Sequence, residues 1–216
     1  MTFCGKFRIG TVAAACAVFG SAHANGTSGQ GTWETTLLGR DIGGIAVSAS
    51  SDNAVFLYDS ALNITWLRDA SPTGLADWYT ATSWASNLNI GDYDDWRLPN
   101  SDKCIGYNCT GSEMGHLWYV TLGNAGGAFT NFGPFQNMKS YLYWSGLDYQ
   151  APNISESAFY FYTTGGLQEF DKKLLPFYAM AVRNGDVSAV PEVASAAIML
   201  AGLVALAANA RNRHPS

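Results

Sequence analysis

The run Gly91-Asp92-Tyr93-Asp94-Asp95-Trp96-Arg97-Leu98-Pro99 constrains the fold of this chain more than any other stretch. Turn formers crowd its first half. The second half supplies an aromatic residue, a cation, an apolar residue and a proline. That order predicts a tight acidic turn leading into a short extended segment, with Trp96 and Leu98 on one face and Arg97 on the other. Pro99 biases Leu98 towards an extended conformation and closes the segment.

The stretches on either side predict an α+β domain. Asn25 to Gly31 is a Gly/Ser/Asn-rich arm, followed by strands near Thr35–Leu38 and Ile45–Ala49. Ala54–Asp59 and Ile64–Leu67 flank Ser60-Ala61-Leu62-Asn63 and read as a hairpin. Asp77–Leu88 places Trp78, Ala81, Ala85 and Leu88 at helical spacing. A second helix starts at Ser112, with Glu113 in its first turn, and stops at Gly123-Asn124. Three strands follow: Tyr141–Ser145, Ala158–Tyr162 and Tyr178–Val182, with a turn at Gly165-Gly166. Strands, two helices, then strands imply an antiparallel sheet.

Both ends read as targeting segments. Residues 1–24 have a basic start (Lys6, Arg8), an apolar run and a small-x-small site that places cleavage between Ala24 and Asn25, a secretory signal peptide. Its apolar run is too short to span ~30 Å of hydrocarbon. Residues 187–216 carry Val190-Pro191-Glu192, then an apolar run over 193–210 long enough to span a bilayer, then Arg211 and Arg213. This tail resembles the PEP-CTERM sorting signal. The resemblance implies recognition by an exosortase in a Gram-negative bacterium, an inner-membrane intermediate held by the C-terminal helix, and delivery to the cell surface or extracellular matrix. Val193 stands where that signal usually has a second proline.

Between the ends, residues 25–189 hold eight Lys/Arg against sixteen Asp/Glu, a net charge near −8, which disfavours a nucleic-acid partner. All seven tryptophans and all eleven tyrosines lie there too, suiting a compact domain or one that stacks against sugars. Cys104 and Cys109 are the two cysteines left after the signal peptide, and in an oxidising compartment a local disulfide is the expected reading.

An ordered set of stretches accompanies Trp96-Arg97-Leu98-Pro99: Asp59 to Trp66 before it, then Glu113-Met114, Tyr143-Trp144-Ser145, Ala158 to Phe161, and Met180 to Arg183. This set, over roughly 55–186, resembles the Lcl C-terminal domain family, with 25–54 as an arm and leading strands. The resemblance implies a C-type-lectin-like fold and makes Asp59, Trp66, Trp96, Arg97, Leu98, Pro99, Tyr143, Trp144, Ser145 and Arg183 family motif residues. The sulfated sugars bound by a member of that family suit a domain near −8 poorly.

Candidate chemistry is sparse. His116 is the only imidazole between the two ends and shares a helix face with Glu113; a packed histidine is the preferred reading, since a metal or catalytic site needs further groups. No Gly-x-Ser-x-Gly elbow occurs. Asp92, Asp94 and Asp95 are the candidate ligands for Ca²⁺, although no EF-hand spacing follows and a solvated turn explains them. Arg97 and Arg183 are expected to pair with Asp59, Asp95 or backbone carbonyls. Trp78, Trp118, Tyr119 and Trp144 are the candidates for sugar stacking, each weighed against simple core packing.

The sequence therefore reads as an exported, non-enzymatic protein with no catalytic residues and no required cofactor, binding polysaccharide or a matrix protein. The alternatives are a polysaccharide hydrolase using two of Asp59, Asp92, Asp95 and Glu113 across a cleft, or a purely structural matrix protein.

Overall fold

A computed structural model describes residues 26–152 and 154–187. The signal cleavage site, the Val190-Pro191-Glu192 motif, Arg211, Arg213 and the helix expected over 193–210 lie outside the described residues. Among the described residues, no helix is long and apolar enough to cross a membrane.

Two antiparallel sheets carry the fold, with a few short helices, an α+β arrangement. The larger contains β1 (Leu37–Arg40), β2 (Ala46–Val47), β3 (Phe56–Asp59), β4 (Ile64–Leu67) and β8 (Val182–Asn184), ordered β2-β1-β3-β4-β8. The smaller contains β5 (Leu142–Ala151), β6 (Ile154–Tyr162) and β7 (Leu167–Lys172) in that order. The predicted hairpin is present as β3 and β4, pairing Phe56 with Leu67 and Asp59 with Ile64. All four residues of β4 are buried, and its one polar member, Thr65, donates its hydroxyl to the Gly185 carbonyl at 2.7 Å.

The helices follow their caps. α2 (Trp78–Ser86) starts where the Asp77 carboxylate accepts the Thr80 N–H at 2.8 Å, and it buries Ala81 and Ala85. α3 (Glu113–His116) is capped by the Ser112 hydroxyl, which accepts the Gly115 N–H at 3.0 Å. Beyond His116 the helix widens into a π-helical turn, Leu117–Thr121, ending before Gly123 at φ +64°. Gly115 lies so close to the Cys109 carbonyl that an added Cβ would meet that oxygen at 1.8 Å.

Three differences from the sequence reading have physical causes. Thr35 and Thr36 fall in a short helical turn, α1 (Trp33–Thr36), and the strand begins at Leu37. β7 was not predicted because its buried inward residue is Gln168, which breaks the apolar alternation. The strand expected over Tyr178–Val182 is a connector instead. Tyr178 pairs with β5, donating to the Leu142 carbonyl and accepting from the Trp144 N–H, whereas Val182 pairs with β4 and with Arg97. Ala179, Met180 and Ala181 between them are fully buried. This segment joins the two sheets.

Candidate functional site

The motif residues form a structural hub. Trp96 is buried and stacked on Phe56 at 5.6 Å, with its indole N–H donating to the Tyr93 carbonyl at 2.9 Å. Leu98 is buried on the same side, while the Arg97 backbone exchanges hydrogen bonds with Val182. The Arg97 guanidinium grips Glu113 with two bonds of 2.8 Å and donates to Asn184 at 2.8 Å. Glu113 also accepts the Asn100 N–H at 2.6 Å. Of the partners expected for Arg97, a backbone carbonyl is present, that of Leu98 at 3.2 Å, whereas the acidic partner is neither Asp59 nor Asp95 but Glu113, which the helix cap presents to it. Arg183 does hold Asp95, through bonds of 2.6 and 3.1 Å, and its cation lies over the Tyr93 ring. Pro99 is buried, and its carbonyl accepts the Gly146 N–H at 2.8 Å. Tyr143, Trp144 and Ser145 are buried, the Ser145 hydroxyl donating to the Phe159 carbonyl. Arg68, which sequence reasoning did not single out, is buried and donates to the carbonyls of Ser51, Ala54 and Pro134.

The candidate carboxylates are dispersed. Asp59 is fully buried; Oδ1 accepts the N–H groups of Ala61 and Leu62, and Oδ2 has no hydrogen-bond partner. Burial raises its carboxyl from the ordinary aspartate value, against the opposing pull of those amides and of His116. Trp66 is itself buried, and its N–H makes no hydrogen bond. Glu113 belongs to Arg97, and His116 faces Thr121 at 3.3 Å, so the helix-face pair of Glu113 and His116 is divided between separate partners. Asp95 belongs to Arg183. Asp92 (φ +65°) and Asp94 are exposed in the turn. Among the described residues, no group of three His, Cys, Asp or Glu side chains is placed to hold a metal ion.

The stacking candidates divide by burial. Trp118 and Trp144 are core residues at 2% and 0% exposure, so their rings present no face to a ligand. Tyr119 is half-buried, its hydroxyl accepting from the Asn108 N–H at 3.0 Å and donating to the Gly166 carbonyl at 2.8 Å. It braces the loop closed by the Cys104–Cys109 disulfide, whose Cα atoms are 5.6 Å apart. That loop pairs with β7 through Gly106 and Gln168. Trp78 is half-exposed, donating to the Ser145 carbonyl, with the buried Lys173 ammonium 4.4 Å from its ring; Lys173 also contacts Asp148.

Of the open grooves with aromatic walls, which include one lined by Tyr79 and Trp84 on α2, two lie beside β5. One, of about 350 Å³, follows Leu147 to Gln150 on β5 and includes Lys103 and Phe159. Register shifts of β5 against β6 flank it, and Glu156 across the sheet holds φ +59°. The other, of about 430 Å³, is lined by Leu75, Lys139, Ser140, Tyr141 and Tyr178. Its two tyrosine rings meet at 86° with centroids 5.8 Å apart. Sequence reasoning missed this corner. Its visible signal is the alternation of Tyr141 and Tyr143 after Lys139, which puts both rings on one side of an incoming strand.

No curated protein sequence matches this chain. The model of the Lcl C-terminal domain matches residues 56–183, from the first residue of β3 to the arginine that holds Asp95. The chain belongs to the Lcl C-terminal domain family.

Proposed function

We propose that the chain is an exported surface or extracellular-matrix protein whose domain binds polysaccharide, or a matrix protein, without catalysing a reaction. One observation carries the non-catalytic part: three of the four carboxylates weighed for a glycosidase are committed elsewhere, and only Asp92 of that set stands open in the turn. Asp59 is buried, Glu113 is held by Arg97 and Asp95 by Arg183, whereas glycoside hydrolysis needs two carboxyls ~5–10 Å apart across a cleft. The aromatic grooves supply contact surface in place of acid/base chemistry.

The signal peptide of residues 1–24, the tail of 187–216 and a disulfide-closed loop support export. The tail's membrane helix, its handling by an exosortase and the C-type-lectin-like relationship of the fold belong to the same proposal. The test is to incubate the full-length protein with polysaccharide secreted by its host. Co-sedimentation with unchanged polymer length is expected. Shortening of the polymer would overturn the non-catalytic reading, and absence of binding to polysaccharide and matrix protein alike would overturn the ligand reading. Intact-mass analysis of surface and membrane fractions tests the sorting, with a mature protein starting at Asn25 and lacking the chain beyond about Pro191 as the expected species.

A further inference from the structure

Resting on the polysaccharide reading, we propose that the corner of Tyr141, Tyr178 and Lys139 is the saccharide site, and that its ligand is an uncharged pyranose chain. Tyr141 is 42% exposed and Leu75 51% exposed, so the groove is lined by open apolar surface. Tyr178 is held from behind by Tyr143, its ring centroid 5.6 Å away, and Tyr143 is fixed by accepting the Lys139 N–H at 2.7 Å. The Tyr178 side of the corner is therefore backed before any ligand arrives, which lowers the ordering cost of binding there. Rings at 86° offer one face as a floor and another ring as a wall, matching the flat C–H face and hydroxyl-bearing rim of a pyranose.

The polar groups fit the rim. Neither the Tyr141 nor the Tyr178 phenol has a hydrogen-bond partner among the described residues, and the Lys139 ammonium has no ion-pair partner there. Three residues that carry donors thus line the groove, and sugar hydroxyls accept from such groups. Charge selects the class. A domain near −8 repels polyanions at long range, and the lysine at the corner repels a cationic sugar.

The experiment titrates the full-length protein with dextran, laminarin, mannan and polygalacturonate, at about 50 mM and about 500 mM salt. At least one neutral polymer is expected to bind with affinity changed less than twofold by salt, because no counterions are released. Tyr141→Ala is expected to weaken that binding about tenfold or more, and Lys139→Gln severalfold. Both variants should keep the wild-type melting temperature, since both side chains are exposed. Neutral binding that survives both substitutions overturns the site and leaves the polysaccharide reading standing. Binding to polygalacturonate alone, lost at high salt, overturns the ligand class only. If neither these polymers nor the host polysaccharide bind, the site and the polysaccharide reading fall together.

Discussion

The two sheets differ in how their surroundings place arginine and lysine. Around the larger one, cations are matched to acceptors: Arg40 to Asp186, Arg97 to Glu113, Arg183 to Asp95, and Arg68 to three carbonyls. The register there runs unbroken through β1, β3 and β4. Around the smaller one, the buried Lys173 is paired with Asp148, but β5 shifts register twice, Glu156 adopts a left-handed backbone, and Lys103 and Lys139 lack ion pairs among the described residues. Satisfied networks specify a fold, whereas open donors beside aromatic walls are useful only to something that arrives from outside. The family's motif residues therefore mark architecture, and the proposed recognition, if it fails, fails at the smaller sheet and the loops beside it without touching that architecture.

The sharpest way to break this contrast is to attack the larger sheet. Trp96→Ala should cost about 4 kcal/mol, measured by denaturant unfolding, because it empties a buried site against Phe56. An equal loss from Tyr149→Ala, in the smaller sheet, would erase the distinction. Arg97→Ala should cost about 2–3 kcal/mol, since it strands a mostly buried Glu113. Arg97→Lys should recover only part of this, as one ammonium cannot reproduce the two-pronged grip.

Replacing Cys104 and Cys109 together by serine should cost about 2 kcal/mol on the chain-entropy account for so short a loop. The protection of the Gly106 and Gln168 amides against hydrogen exchange should fall with it.

The smallest effect is a gain. Burial raises the Asp59 carboxyl above its ordinary 3.8, so the folded state binds the proton more tightly than the unfolded chain. Stability is then greatest below that ordinary value and declines as pH rises through the raised one. Asp59→Asn should stabilise the protein by about 1 kcal/mol at pH 7, the order of one unpaired buried polar atom, with the advantage vanishing in acid. Melting curves of both proteins at several pH values read this directly. An advantage that persists in acid would mean the carboxyl is not the cause.

Legibility in the sequence follows the same division. The β3–β4 hairpin, the capped helices and the alternation around Arg97 were readable because local pattern and tertiary role agree. Glu113 as the partner of Arg97 was not, since 16 residues separate them and only the folded path brings Asn100 and Glu113 together. Gln168 hid β7 by being a buried polar residue, satisfied by Asp102 and the Cys104 carbonyl. Trp118 and Trp144 show why tryptophan content does not locate a binding face: both rings serve the core. The Tyr141–Tyr178 corner joins residues 37 positions apart and becomes visible only when β5 and the connector lie side by side.

That connector, Phe177 to Val182, comes almost at the end of the described domain and is the piece both sheets share. A ribosome delivers β1 to β7 before this piece is made. Neither sheet has its full set of hydrogen bonds until then. Closure of the domain therefore waits on one of its last-made segments, and the strands that precede it stay open to rearrangement during synthesis.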